Sequence, residues 1–570
     1  MNLTEYLFHR LRELGVGHTF GIPGDFVLPV YAVQEEVGMP TIVCAHEPGV
    51  GFAADAYARL KGLGVALVTY GPGALNTLNP VACAYAEQSP LLVVSGGPEV
   101  ALRRPELHLH HVVKTFESQL QIYREVTVDA AILDDPESAP ATIDRVLRSV
   151  VKWKRPGYLE IPRDRVRSPV ASPVGRLELD PRLDDSPSLQ GALDEATAEI
   201  GMMLATALRP VLYIGAGVRR HGLAEQVIRL AERQGLPVVT DLLGKSAFPE
   251  SHSQFAGIYM GALGDAGVRE LVDSSDCVLG IGVALTDLGT GFWTQRIDPK
   301  ARVMVNADSV QIRYHHFNGI PITRVVATLL ERLKPNKRPA PPFDNNATDD
   351  YPIIGPNFES ATENGAGQAL GAGLPTPRPV VIRVAEVIAA LKNLDQSKFS
   401  FVADVGDSWF ISLELRFDVF VAAGYYSSMG FAVPAALGVG IAEPSRRPLA
   451  IVGDGAFQMT GTELATLVDQ KLRPIILLLN NGGYGMLEAI DGARSYYERR
   501  NWDFPALARA LGAEAERVST AADLSAAFLR AEAAPGAYLI EALTAKDDLS
   551  PVMTRIRNHI KSAWTVPAAL

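Results

Sequence analysis

One pattern recurs three times along this chain and limits what it can fold into. Short apolar runs of strand length alternate with stretches of helical periodicity. That alternation is the mark of parallel α/β layers. In residues 1–170 the runs include TIVCAH, VALVTY and PLLVVSG, closing near GYLEIPRD. Residues 195–335 hold PVLYIGAG, LPVVTD, CVLGIG and RVMVNAD, and residues 379–555 hold FSFVADVG, LAIVGDG, PIILLLNN and AYLIEAL. Between them, 171–194 and 336–378 are polar and rich in Pro, Gly or Asn, and read as linkers. The expected fold is therefore α/β, with three doubly wound parallel-sheet domains. A length of 570 residues accommodates this, at about 100–200 residues per domain.

Composition removes several function classes. The formal net charge of −11 argues against nucleic acid, which is bound chiefly through Lys and Arg neutralising phosphates. It leaves an anionic small substrate possible, because local charge decides that. The longest clean apolar runs, such as Ile475 to Leu479, fall far short of the roughly 18 residues of a membrane span. At the N-terminus, Leu3, Tyr6, Leu7, Leu11 and Leu14 recur at helical spacing between charges; this is an amphipathic helix, not a signal peptide. Cys44, Cys83 and Cys277 are too few for a disulfide framework and lack metal-ligand spacing. They read as core residues of a cytoplasmic protein.

The strongest local signal is LAIVGDG followed by PIILLLNN. Twenty-four residues separate Gly453-Asp454-Gly455 from Asn480-Asn481, room for one crossover helix over TGTELATLVDQK. Neighbouring parallel strands then bring Asp454 and Asn481 to one carboxyl edge, where open α/β sheets bind ligands. A carboxylate and an amide carbonyl are hard ligands suited to Mg²⁺ shared with phosphates, and glycines allow close backbone approach to a diphosphate. Gly483, just beyond, can add a backbone carbonyl. GDG alone is most simply a strand-end turn; the second motif at this distance changes that reading.

GDG, a gap of this length and then NN resemble the thiamine-diphosphate signature. Over essentially the whole chain the sequence resembles the 2-oxo acid decarboxylases, with pyrimidine-binding, central and diphosphate-binding domains in that order. The resemblance implies thiamine diphosphate and Mg²⁺ as cofactors and a small-molecule 2-oxo acid as substrate. It also implies a homo-oligomer, commonly a dimer of dimers, in which one subunit supplies the activating glutamate and another holds the diphosphate. In AHEPGVGFAADAYARLKG, Glu47 matches the family glutamate beside the aminopyrimidine; alone it would read as a favourable charge at a helix N-terminus. Met429, 25 residues before Asp454, matches the bulky side chain beneath the cofactor. Gly406 and Asp407 of DVGDS, Gly73 of TYGPGALN, and the amides of Gly455 and Ala456 complete the implied cofactor contacts. Asp25 in FGIPGDFVLPVY and the pair His110-His111 in HLHHVVKTF resemble decarboxylase residues. Their implied work is to bind the oxo acid and deliver a proton after CO₂ leaves, a contribution of about 10²–10⁴ in rate.

One position departs from the pyruvate decarboxylases. Their catalytic glutamate lies six residues after the second Asn, where this chain has Leu487, with Glu488 one step later. One residue turns a helical side chain by about 100°, so Glu488 does not inherit the role. An aliphatic residue here resembles the bacterial phenylpyruvate and indolepyruvate branch and enlarges the pocket for an aromatic substrate. Asp287 in GVALTDLGTGFW is a candidate substitute acid, with a turn cap as its plainer reading. YIGAG hints at a dinucleotide fingerprint, but the third glycine is missing, with Arg220 in its place, so it reads as a tight strand-to-helix turn. The expected reaction is nonoxidative decarboxylation of phenylpyruvate or indole-3-pyruvate to aldehyde and CO₂. The competitors are a carboligase of the acetolactate synthase type and a cofactor-binding paralogue with little turnover.

Overall fold

The computed structural model describes residues 1–179, 187–336, 338 and 381–565. The first sheet contains β1 (Thr19–Gly21), β2 (Thr41–Val43), β3 (Gly64–Val68), β4 (Leu91–Gly97), β5 (Asp129–Ile132) and β6 (Gly157–Pro162). All its pairings are parallel, in the order β2-β1-β3-β4-β6-β5. The second contains β7 (Pro210–Ile214), β8 (Val238–Thr240), β9 (Phe255–Ile258), β10 (Cys277–Ile281), β11 (Arg302–Asn306), β12 (Ser309–Ile312) and β13 (His315–Asn318). Its order is β13-β12-β11-β10-β7-β8-β9. The third contains β14 (Phe399–Ala403), β15 (Phe420–Ala422), β16 (Arg447–Gly453), β17 (Ile475–Asn480), β18 (Glu514–Val518) and β19 (Tyr538–Leu543), again all parallel, as β15-β14-β16-β17-β19-β18.

The three-sheet α/β expectation holds with one difference. The edge strands β12 and β13 run antiparallel to their neighbours, so the middle sheet is mixed. A polar His-rich hairpin can occupy an edge because its outer side faces water. The runs read as central strands are buried throughout, as β17 illustrates with all six residues inside; helices on both faces require apolar residues at every position. The linker 336–378 lies outside the described residues apart from 336 and 338, and so do 180–186 of the linker 171–194. The helix Pro187–Thr206 begins within that second stretch.

Local sequence explains the element ends. The N-terminal helix Leu3–Glu13 opens on a capping box, in which Asn2 Oδ1 accepts the Glu5 amide and Glu5 accepts the Asn2 amide, both at 2.8 Å. The expected single crossover helix is instead two, Asp454–Thr460 and Glu463–Asp469, the first starting at the aspartate itself. In YIGAG, a Cβ on Gly215 would lie 2.1 Å from the Gly282 carbonyl oxygen and one on Gly217 2.7 Å from the Gly282 Cα. The glycines serve backbone packing there, which bears out the turn reading. All three cysteines are free and buried, and no helix among the described residues is long and apolar enough to cross a membrane.

The first and third sheets share one apolar core. Its centre is the contact between helices Glu47–Lys61 and Ala432–Ala442, where a Cβ on Gly438 would stand 2.0 Å from the Ala53 carbonyl oxygen. The helix that begins at Glu47 is thus seated directly on the domain that carries Asp454.

Candidate active site

In the third sheet, the connection after β14 leads to β15 on one side, whereas that after its neighbour β16 leads to β17 on the other. The crevice at such a switch point is the expected ligand site. A cavity of about 280 Å³ lies there, at the carboxyl ends of β14, β16, β17 and β19. Gly406, Asp407, Met429, Asp454, Gly455, Ala456, Asn481, Gly483 and Leu487 all line it. Nine residues chosen from separate motifs therefore meet around one space.

Asp454 is 3% exposed, and burial pushes its carboxyl up to about 6 against the opposing pull of the Gly455, Asp454 and Gly482 amides and the Lys546 charge. Among the described residues it has no side-chain cation within ion-pair distance. Asn481 Oδ1 accepts the Gly483 amide at 3.2 Å. The neighbouring Asn480 acts within the sheet instead, where its Nδ2 donates to Glu541 at 2.6 Å and Asn501 at 2.8 Å and so ties β17 to β19. A Cβ on Gly455 would lie 2.7 Å from the Tyr484 ring, so that glycine makes room for the loop after Asn481. Gly406, at φ +80°, caps the helix Asp407–Ser412 in a conformation that favours glycine. Asp407 Oδ2 accepts the Ser550 amide at 3.0 Å, whereas Oδ1 is buried without a partner. Burial raises this carboxyl to about 6 as well.

The first sheet assembles a second cluster, also at strand carboxyl ends. Glu47, the first residue of its helix, accepts from Asn76 Nδ2 at 2.9 Å. A Cβ on Gly73 would be 3.8 Å from Glu47 Oε1. Asp25 Oδ2 is 2.5 Å from His110 Nε2, and Asp25 Oδ1 is 3.9 Å from His111 Nδ1. Phe26 stacks on the His110 ring at 4.9 Å. Burial pushes the Asp25 carboxyl up, but the His110 hydrogen bond, the Phe26 amide and both imidazoles outweigh it and hold it below its usual range. The backbone of His111 crosses Gly71 so closely that a Cβ there would meet its carbonyl oxygen at 2.5 Å. None of Asp25, Glu47, His110 and His111 is a wall of the third-sheet cavity. The two groups of residues are separate features of one chain.

Three models of known protein families match the chain. The model described as "Thiamine pyrophosphate enzyme, N-terminal TPP binding domain" matches residues 1–122, the corresponding central-domain model matches 197–333, and the C-terminal TPP binding domain model matches 404–542. An indole-3-pyruvate decarboxylase of Azospirillum brasilense is 38% identical over 572 residues, the full length of both proteins. The chain belongs to the thiamine-pyrophosphate-dependent 2-oxo acid decarboxylases. A probable pyruvate decarboxylase of Schizosaccharomyces pombe is 31% identical over 100% of this chain and 98% of its own length. An alpha-keto-acid decarboxylase of Mycolicibacterium paratuberculosis is 32% identical over 92% and 91%.

For a decarboxylase of this family the cavity fits the cofactor. A buried carboxylate with no paired side-chain cation, beside an amide carbonyl, suits a divalent cation and its diphosphate. The partnerless Asp407 Oδ1 leaves one further acceptor for a bound group. Leu487, on the helix Gly485–Asp491, faces the cavity, whereas Glu488 turns to Lys546 at 3.6 Å. The one-residue offset thus separates the two side chains. Asp287 is exposed and is not a cavity wall; its Oδ1 accepts the Leu288 amide at 2.8 Å, as a turn cap does, and Leu288 is the wall. Sequence reasoning missed Asn76, Asp404 and Glu463. Asn76 closes the TYGPGALN loop, and Asp404 is the first residue of DVGDS, so both stood inside motifs that had drawn notice for other residues. Glu463 had no local signal.

Proposed function

We propose that this protein decarboxylates an aromatic 2-oxo acid, phenylpyruvate or indole-3-pyruvate in preference to pyruvate, releasing the aldehyde and CO₂ without oxidation. The observation that carries this is the cavity at the switch point of the third sheet. It gathers Asp454, Asn481, Gly406, Asp407 and Met429, and has Leu487 in place of a carboxylate on its wall. Similarity to an indole-3-pyruvate decarboxylase supports the same choice.

In this reading Asp454, Asn481 and the Gly483 carbonyl would hold Mg²⁺, and the Gly455 and Ala456 amides would hold the diphosphate. When bound, thiamine diphosphate would supply a nucleophilic carbon to add to the oxo acid and a cationic ring to take up the electron pair left by CO₂. Met429, on the cavity wall, would support the cofactor. Glu47 holds a proton at the aminopyrimidine. Asp25, held below its usual range, and His110 lie 2.5 Å apart, a pair placed to orient the imidazole for delivering a proton to the product carbon. His111 lies beside them, and Asp287, whose chain neighbour Leu288 is a cavity wall, is the candidate for the acid role that Leu487 does not fill. Because Glu47 and Asp25 do not line the cavity of their own chain, they serve the site of a second copy. The working unit is a homodimer or a dimer of dimers, placed in the cytoplasm.

A steady-state panel of 2-oxo acids with aldehyde detection tests the reading. The expected order of kcat/KM is phenylpyruvate or indole-3-pyruvate above pyruvate. A higher value for pyruvate overturns the preference, and acetolactate as the main product from pyruvate overturns the reaction.

A further inference from the structure

Glu463 opens the helix Glu463–Asp469, one short helix after the one that starts at Asp454. It is fully buried, yet no basic side chain pairs with it within ion-pair distance among the described residues. Its carboxylate is committed to a distant stretch of backbone. Oε1 accepts the Ala45 amide at 3.1 Å and the His46 amide at 3.0 Å, while Oε2 lies 3.2 Å from the Ala45 amide. The Thr466 hydroxyl donates to Oε2 at 2.9 Å and steadies it. Burial pushes the carboxyl up, and these amide and hydroxyl donors oppose it.

The amides of Ala45 and His46 immediately precede Glu47. His46 is the N-cap residue of the Glu47 helix and makes no side-chain cap. A helix start without its own cap leaves backbone donors to be satisfied elsewhere, and Glu463 supplies the acceptor from 418 residues away. The seat is built for it: a Cβ on Gly49 would stand 2.1 Å from Glu463 Oε1. A carboxylate that costs free energy to bury is retained here to fix two peptide groups next to the proposed activating glutamate.

We infer that Glu463 is a positioning residue for Glu47: by clamping the Ala45 and His46 amides it sets where the Glu47 carboxylate lies. This rests on the reading of Glu47 given above. Glu463 touches neither cofactor nor substrate in it. Its loss should therefore slow cofactor activation without weakening cofactor binding.

The test uses the holoenzyme with thiamine diphosphate and Mg²⁺. Deuterium exchange at C2 of the bound cofactor, followed by acid quench and proton NMR, reports activation independently of turnover. Glu463→Asp withdraws the acceptor by one methylene, and a misplacement of about 1 Å can cost up to about a hundredfold. We expect exchange and kcat to fall about tenfold or more, with cofactor affinity kept within about threefold. Glu463→Gln keeps a carbonyl for both amides and an NH₂ for Thr466, so it should recover most of the exchange. If Glu463→Asp does not fold, Thr466→Val removes only the steadying hydroxyl and should still slow exchange measurably at unchanged cofactor affinity. Wild-type exchange in the variant that folds overturns the inference. So does equal loss in Asp and Gln, or loss of cofactor affinity in proportion to exchange. Glu47→Gln in the same assay separates the two levels: wild-type exchange there refutes the assignment of Glu47. Exchange lost in Glu47→Gln but kept in Glu463→Asp refutes the role of Glu463 alone.

Discussion

Asp404 offers a perturbation whose size can be worked from the structure. It ends the β14 run, is 1% exposed, and accepts the Val405 and Gly430 amides on Oδ1 at 3.0 and 3.1 Å and the Ala432 amide on Oδ2 at 2.8 Å. Those last two amides lie just after Met429, a cavity-wall residue. Asp404→Ala strands them in a dry interior at about 1–3 kcal/mol each, partly offset because a charge is no longer buried. The net expected loss is about 2–4 kcal/mol of stability. Asp404→Asn isolates the charge. Burial raises the carboxyl from 3.8 to about 6, with the amides pulling the other way. The folded value lies above the unfolded one, so this group's favourable contribution is complete below about 4 and lost as pH rises through about 6. The asparagine does not titrate. The wild type should therefore lose stability relative to Asp404→Asn by about 1–2 kcal/mol between about pH 5 and pH 8. Urea unfolding across that pH range measures it, and quenching of the cavity-wall residue Trp409 by added cofactor and Mg²⁺ follows the Met429 turn. Parallel stability curves for wild type and asparagine, or an alanine variant with wild-type stability and cofactor affinity, refute the reasoning.

The other predictions concern the proposed site directly. Glu47→Gln should retain cofactor by equilibrium binding yet lose nearly all turnover; near-normal kcat removes Glu47 from the mechanism. Leu487→Glu puts a carboxylate on the cavity wall and should shift the ratio of kcat/KM for pyruvate over phenylpyruvate upward by about tenfold, read from paired substrate titrations. Exhaustive treatment with EDTA should release thiamine diphosphate and abolish aldehyde production, with Mg²⁺ restoring both. In Asp454→Ala, Mg²⁺ should restore neither, as measured by ultrafiltration of bound cofactor.

Much of the fold was legible because buried parallel strands advertise themselves. β3, β4, β7, β10, β16 and β17 are continuous apolar runs, each buried at nearly every position. The strands that passed unread are short or at edges. β15 has three residues, β18 reads EAERV, and β13 reads HHFN. Their composition carries little signal; pairing with an already formed neighbour makes them strands. The split of the crossover into two helices was equally invisible, since either form covers the same sheet face.

The site divides along the same line. Asp454 and Asn481 could be placed together from the sequence alone, because a strand, a crossover of limited length and a second strand leave one parallel solution with both ends at one edge. Nine residues named from separate motifs line that cavity, and their chemical roles are proposals. That Leu487 and Glu488 point apart follows from helix periodicity, again a local rule; that position 487 is the one at the site was implied by the family resemblance. Tertiary structure alone decided the rest. It seated the Glu47 helix on the helix Ala432–Ala442, left Glu47 and the Asp25–His110 pair off the cavity of their own chain, and set Glu463 against the Ala45 and His46 amides. The reason is physical: a buried carboxylate takes whichever donors the packed chain brings within hydrogen-bond reach. For Glu463 those donors lie 418 residues away, beyond any periodicity a sequence can display.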